Sequence, residues 1–163
     1  MKHPAVILMV GLPGSGKSTF VRSYLKENPG MQVVSTDDTI EDMARAAGKT
    51  YNDMWRDNIT EAEKEFYKRI GLYVADNKSF IVDRTNLTVK TRARILNLIP
   101  RHYTKVAHVV EVDEHIRQQR LKSRIGKDIP SAVDINMLRN WSVPSVSEGF
   151  DIVQCTNTTV EAE

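Results

Sequence analysis

One cysteine and no long apolar run set the first limits. A single thiol, Cys155, excludes an intramolecular disulfide and any multi-cysteine metal cage, which fits a reducing compartment such as the cytoplasm. The longest unbroken apolar run, Ala5 to Val10, is too short to span a bilayer or to act as the apolar core of a signal peptide, so neither membrane insertion nor secretion is expected. The four histidines, His3, His102, His108 and His115, lack a ligand-like spacing and read as structural or solvated. No linker, internal repeat or low-complexity stretch divides the chain.

What remains is 163 residues and 18.5 kDa, the size of one domain with one core, spanning 1–163 with 156–163 read as a loose tail. The net charge of +2 conceals an uneven distribution. Residues 84–127 carry 11 Lys/Arg against 3 Asp/Glu, whereas 128–163 carry 1 against 6. A basic block of this kind is either a solvated helix face or a surface aimed at a polyanion such as ATP or nucleic acid.

Apolar runs alternate with amphipathic stretches. Ala5–Val10 reads as a strand buried on both faces, followed by a helix from Lys17 to Asn28 with Phe20, Val21, Tyr24 and Leu25 on one side. Met31–Ser35, Ser79–Val82, Lys105–Val112 and Phe150–Cys155 read as further strands, the last with Cys155 in the core. Between them, Trp55, Ile59, Ala62, Phe66, Ile70 and Tyr73 recur at helical spacing over 51–76, and Val89–Ile99 is a helix ended by Pro100. Asp113 is read as the cap of a helix running through Arg117, Arg120 and Arg124, and Ser131 to Asp134 as a capping box opening a helix with Val133, Met137 and Trp141 inward. Five strands separated by helices predict an α/β fold, a parallel sheet with helices on both faces, whose ligands bind beyond the carboxyl ends of the strands.

The chemistry concentrates at those ends. Gly11 to Ser18 fits G-x-x-x-x-G-K-[ST], placed between a buried strand and a helix. The backbone N–H groups of Gly14, Ser15 and Gly16 can cradle phosphate oxygens at the positive end of a helix. Lys17 can neutralise the β- and γ-phosphates of ATP, and the Ser18 hydroxyl, with Asp83 through water, can hold Mg²⁺. Asp37, after the second strand, is placed to take a proton from an attacking hydroxyl, and Asp38 reads as a helix cap. Thr85 and Asn86 serve equally as turn formers or ligands. Arg120 and Arg124, four apart, would project from one helix face, either as a solvated basic end or as cations that close over transferring phosphate.

Gly-Leu-Pro-Gly-Ser-Gly-Lys-Ser-Thr at 11–19, Ser-Thr-Asp-Asp at 35–38, Val-Asp-Arg-Thr-Asn-Leu at 82–87, the arginines at 120 and 124 and Glu-Gly-Phe-Asp at 148–151 together resemble the kinase domain of the bacteriophage polynucleotide 5′-hydroxyl kinase family. The resemblance implies a P-loop NTPase/kinase fold with an arginine-bearing lid, dependent on ATP and Mg²⁺. Carried over, it places Lys17, Ser18 and Thr19 on the nucleotide, Asp37 as general base, Arg124 with Arg120 on the ATP phosphates, Ser18 and Asp83 toward Mg²⁺, and Asp37, Arg84 and Thr85 around the acceptor. The acceptor implied is a nucleic acid, DNA or RNA, most directly a 5′-hydroxyl end. One position departs: the family's acceptor-holding arginine, three residues after the base, is Ile40 here. That departure keeps open a hydroxymethyl group on a modified DNA base, as in phage DNA modification, and a nucleoside or small metabolite. A module that binds ATP without transferring phosphate is the reading from another class.

Overall fold

The computed structural model describes residues 3–159. Five strands, β1 (Ala5–Val10), β2 (Gln32–Val34), β3 (Phe80–Val82), β4 (Thr104–Glu111) and β5 (Ile152–Asn157), form one parallel sheet in the order β2-β3-β1-β4-β5. Six helices connect them: α1 (Lys17–Glu27), α2 (Thr36–Ala47), α3 (Tyr51–Ala75), α4 (Val89–Leu96), α5 (Glu114–Lys122) and α6 (Ser131–Asn140).

Strand β1 lies at the centre because it has no polar side chain to expose on either face. Its alternating residues divide between two cores, Val6 and Leu8 toward Phe66, Ile70, Ile95 and Leu96 of α3 and α4, Ile7 and Met9 toward Val21 of α1. The chain leaves β1 toward β2, returns to β3 beside β1, and then crosses to β4 on the other side. Neighbouring connections therefore diverge at the carboxyl end of β1, opening the crevice in which such sheets bind ligands.

Several elements depart from the periodicity. The 51–76 stripe buries Ala62, Phe66 and Ile70, but Trp55 is exposed because α3 extends beyond the sheet at that end. Val133 is exposed as well, and Trp141 is the half-buried residue that ends α6 rather than part of an inward stripe. Cys155 lies on edge strand β5 and is exposed, so it is not core. The fourth helix stops at Leu96, three residues before Ile99, in a turn where Leu98 and Ile99 donate to Ile95 and Leu96. Of the expected tail, Thr156 and Asn157 belong to β5, and Thr158 donates its N–H to Glu111 O; residues 160–163 lie outside the described residues.

Two arginines of the basic block are buried completely. Arg92 on α4 forms a two-point pair with Glu148 (2.7 and 2.8 Å) and donates to the carbonyls of Asn86 and Ser142. Arg117 on α5 forms a second two-point pair with Asp134 (2.8 and 2.9 Å), is also held by Glu114, and donates to Pro13 O of the phosphate loop. Removing one partner from such a pair costs about 3–5 kcal/mol, since the other is left charged and buried. Asp134 is therefore not the far end of a capping box: Pro130 precedes α6, and no side chain caps it.

Candidate active site

The turn after β1 must bring backbone close to backbone. A Cβ at Gly11 would lie 2.7 Å from Val110 O, and Gly16, with φ +101°, takes a left-handed conformation that side chains resist. The loop is tied down on both sides. Gly11 N–H donates to Thr85 O (3.0 Å), and the Asn86 amide donates to Met9 O (2.8 Å). On the opposite flank Arg120 donates to Thr158 O (2.8 Å) and Thr158 Oγ1 (3.0 Å), while the Thr158 hydroxyl donates to Ser15 O (2.5 Å). Thr85 thus meets the loop through its backbone, and Thr158 is a loop-holding residue that no local sequence pattern marks.

Lys17 opens α1 with its ammonium folded back onto the carbonyls of Gly11 and Leu12, 2.9 Å from each. Burial lowers it to about 8, against the opposing charge of Asp83. A buried ammonium, held by neutral carbonyls at the positive end of a helix, is stabilised by anionic oxygen brought into the loop. The Ser15 and Thr36 hydroxyls, both buried, have no hydrogen-bond partner among the described residues. These features fit a polyphosphate.

Asp83 follows β3 directly. The Ser18 hydroxyl faces Asp83 Oδ2 at 3.5 Å, and burial pushes that carboxyl up to about 6. Two hard oxygen donors beside a phosphate cradle fit Mg²⁺, which takes few protein ligands and completes its shell from phosphate and water. Among the described residues no group of three His, Cys, Asp or Glu side chains forms a cage by itself. Ser18 and Asp83 would hold such an ion, whose positive charge would offset that of phosphate oxygens bound beside it.

Asp37 stands at the exit of β2, in the first turn of α2. The cap of α2 is Ser35, whose hydroxyl accepts from Asp38 N–H (3.2 Å); Asp38 contributes its backbone to the cap rather than its carboxylate. Both oxygens of Asp37 are engaged, Oδ1 by the Tyr51 hydroxyl (2.8 Å) and Oδ2 by the Lys127 ammonium (3.1 Å). Burial alone would raise Asp37, but Lys127 and the Tyr51 hydroxyl outweigh it and hold the carboxyl below its ordinary value. Asp38 moves the opposite way, raised by burial and by the charges of Glu41 and Asp37.

The arginines do not share a helix face. Helix α5 ends at Lys122, so Arg124 falls in the segment 123–130, and Asp113, though it holds the cap position, makes no side-chain cap hydrogen bond among the described residues. Arg124 is half-buried and its charge is felt by Lys17, which places it near the phosphate loop. Arg84 pairs with Glu63 (2.6 Å) and lies over the Phe66 ring. Four cations of the basic block, Arg84, Arg92, Arg117 and Lys127, are thus engaged with acids of this same chain. Internal pairing thus takes four of the block's eleven cations, while Lys90, Arg94, Arg101 and Lys122 are exposed.

Comparison with known proteins bears on the family and the fold. A family model described as an AAA domain matches residues 6–142. Human heterogeneous nuclear ribonucleoprotein U-like protein 2 is 32% identical over 155 residues, covering 91% of this chain and 21% of its own length. A candidate bifunctional polynucleotide phosphatase/kinase of Acanthamoeba polyphaga mimivirus is 27% identical over 158 residues, covering 91% of this chain and 32% of its own. The chain spans about a fifth to a third of the length of these curated relatives. The crystal structure of a candidate kinase from Chloroflexus aurantiacus J-10-fl superposes with a TM-score of 0.75 at 18% identity, covering 100% of this chain and 91% of that one.

Proposed function

The chain belongs to the AAA domain family and has the α/β P-loop kinase fold, and from that premise we propose that it transfers the γ-phosphoryl group of ATP to a hydroxyl carried by nucleic acid, most directly a polynucleotide 5′-hydroxyl end. The observation that carries the reading is Asp37. A carboxylate at the carboxyl end of β2, close enough to Lys17 for each to feel the other's charge, stands where an acceptor hydroxyl would meet a phosphate held by the loop. The mimivirus relative, by its name, acts on polynucleotides, which supports the same class of acceptor here.

In this reading the loop from Gly14 to Thr19 binds and orients the nucleotide phosphates. Lys17 offsets the charge that spreads onto the γ-phosphoryl oxygens, and Asp37 orients the acceptor hydroxyl and receives its proton. Arg124 approaches from the 123–130 segment as charge develops, while Arg120 keeps the loop in shape through Thr158. Arg124→Ala is accordingly expected to lower turnover more than ATP affinity. A binding titration beside steady-state kinetics checks this; equal losses in the two would make Arg124 a ground-state contact.

Incubation with γ-labelled ATP and a panel of acceptors tests the function: 5′-hydroxyl DNA, 5′-hydroxyl RNA, duplex DNA containing hydroxymethyluracil, and nucleosides. Label on the 5′-hydroxyl oligonucleotides is the expected result, and no transfer to any acceptor would leave only an ATP-binding module. Ile40 favours a second reading, because it is fully buried and offers an acceptor phosphate nothing. Transfer to hydroxymethyluracil alone would establish that reading instead. Oligonucleotide affinity is expected to fall with salt by about 0.7 log unit per log unit for each phosphate contacted on a single strand. A flat profile in a fluorescence anisotropy titration would indicate a small-molecule acceptor.

A further inference from the structure

The two oxygens of Asp37 have unlike partners. Tyr51, which holds Oδ1, is the first residue of α3, and its backbone is fixed by the reciprocal bonds between Thr50 and Asp53 at the helix start. Lys127, which holds Oδ2, comes from the 123–130 segment, where Gly126 has φ +74° and the neighbouring Ile125 is fully exposed. Lys127 also binds Glu41, one helical turn beyond Asp37, at 2.8 Å, and its ammonium lies 4.4 Å from the centre of the Tyr51 ring. The lysine thus has two further holds on the same surface, Glu41 and the ring face, that do not involve Asp37. Among the described residues the tyrosine hydroxyl has one partner, Asp37.

We propose that Tyr51 is a positioning residue for Asp37: its hydroxyl anchors Oδ1, so that Oδ2, once Lys127 has moved onto Glu41, is the oxygen that receives the acceptor proton. The proposal rests on Asp37 being the general base. The acceptor oxygen forms its bond to the γ-phosphorus while the bond from that phosphorus to the β–γ bridging oxygen breaks. The breaking pair leaves on ADP, and the acceptor proton ends on Oδ2. A carboxylate anchored at one oxygen presents the other in a fixed direction, which matters because proton transfer needs hydrogen-bond reach and alignment together.

Other charged groups reach the same carboxylate. Lys17 arrives from α1, Asp38 from α2, Asp83 from the end of β3 and Lys127 from the 123–130 segment, while Glu41 of α2 and Arg124 of that segment act on Tyr51. Among them the Tyr51 hydroxyl is the neutral donor. Burial and the Asp37 charge hold it protonated well beyond the ordinary tyrosine range, so it donates at any working pH.

Tyr51→Phe keeps the ring under Lys127 and removes only the hydroxyl. The expected result is a fall in kcat of about tenfold with KM for ATP unchanged, together with an upward shift of the acidic limb of the pH–rate profile, since the ionised form of Asp37 has lost a donor. Carboxyl-carbon NMR of the protein without acceptor should show the Asp37 midpoint rising by the same amount. Thermal unfolding of the variant checks that the fold is kept. An unchanged midpoint and unchanged kcat would overturn the proposal. A shifted midpoint in Tyr51→Phe alongside full activity in Asp37→Asn would keep the hydrogen bond but overturn Asp37 as the base, and with it the positioning role.

Discussion

Lys17→Ala is expected to abolish measurable phosphoryl transfer while the fold survives. In the proposed transfer the ammonium faces the charge that grows as the γ-phosphoryl group moves, and a preorganised charge at that point is worth orders of magnitude in turnover. Without phosphate, however, the same group is a buried cation held by two neutral carbonyls and lowered to about 8, so the folded state gains little from its charge. Thermal unfolding of the variant should therefore show a midpoint at or near wild type, with activity lost. Turnover above about a tenth of wild type would contradict the role assigned to Lys17.

Asp37→Asn should reduce turnover at least about a hundredfold with ATP binding nearly unchanged. The amide keeps the shape and can still accept from the Tyr51 hydroxyl, but it cannot take a proton. Asp38→Asn should do far less, because Asp38 gives the Ser35 cap only its backbone N–H, which asparagine also supplies. Both variants are to be measured with the same acceptor. A dead Asp38→Asn with an active Asp37→Asn would move the base by one residue; two active variants would remove this strand end from the chemistry.

Sequence pattern made the sheet legible wherever burial was uniform. Ala5–Val10 has one residue class throughout and needed no period to be read, and the glycines at 11, 14 and 16 marked the turn that follows. The order of those segments pointed to an α/β fold with a parallel sheet, and the resemblance carried by the motifs implied the P-loop kinase fold, with which the match to the AAA domain model and the superposed kinase agree. Charged residues were harder to place. Arg117 on α5 was legible only as part of a basic helix end, because the acid that lets it be buried, Asp134, lies 17 residues on and looked like a cap. Arg92 is the same problem at longer range, with Glu148 56 residues away. Hydropathy counts an arginine as exposed; two oxygens placed by the tertiary fold make it core.

The site divides along a similar line. Residues within the phosphate loop and at strand ends could be named from local pattern, whereas Tyr51, Lys127 and Thr158 could not. Tyr51 looked like the first residue of a helix and Lys127 like one more member of a basic run. Their relation to Asp37 exists only because α2 and α3 fold back on each other and the 123–130 segment returns across the sheet end.

The Arg117–Asp134 pair also has a mechanical meaning. It clips α5 to α6 close to where the two helices adjoin the phosphate loop, and the same guanidinium holds Pro13 O. The eight residues of 123–130 are therefore an arch on fixed abutments. Lys127 can shift between Asp37 and Glu41 through torsions within the span, with the footings, and the loop resting on one of them, staying in place.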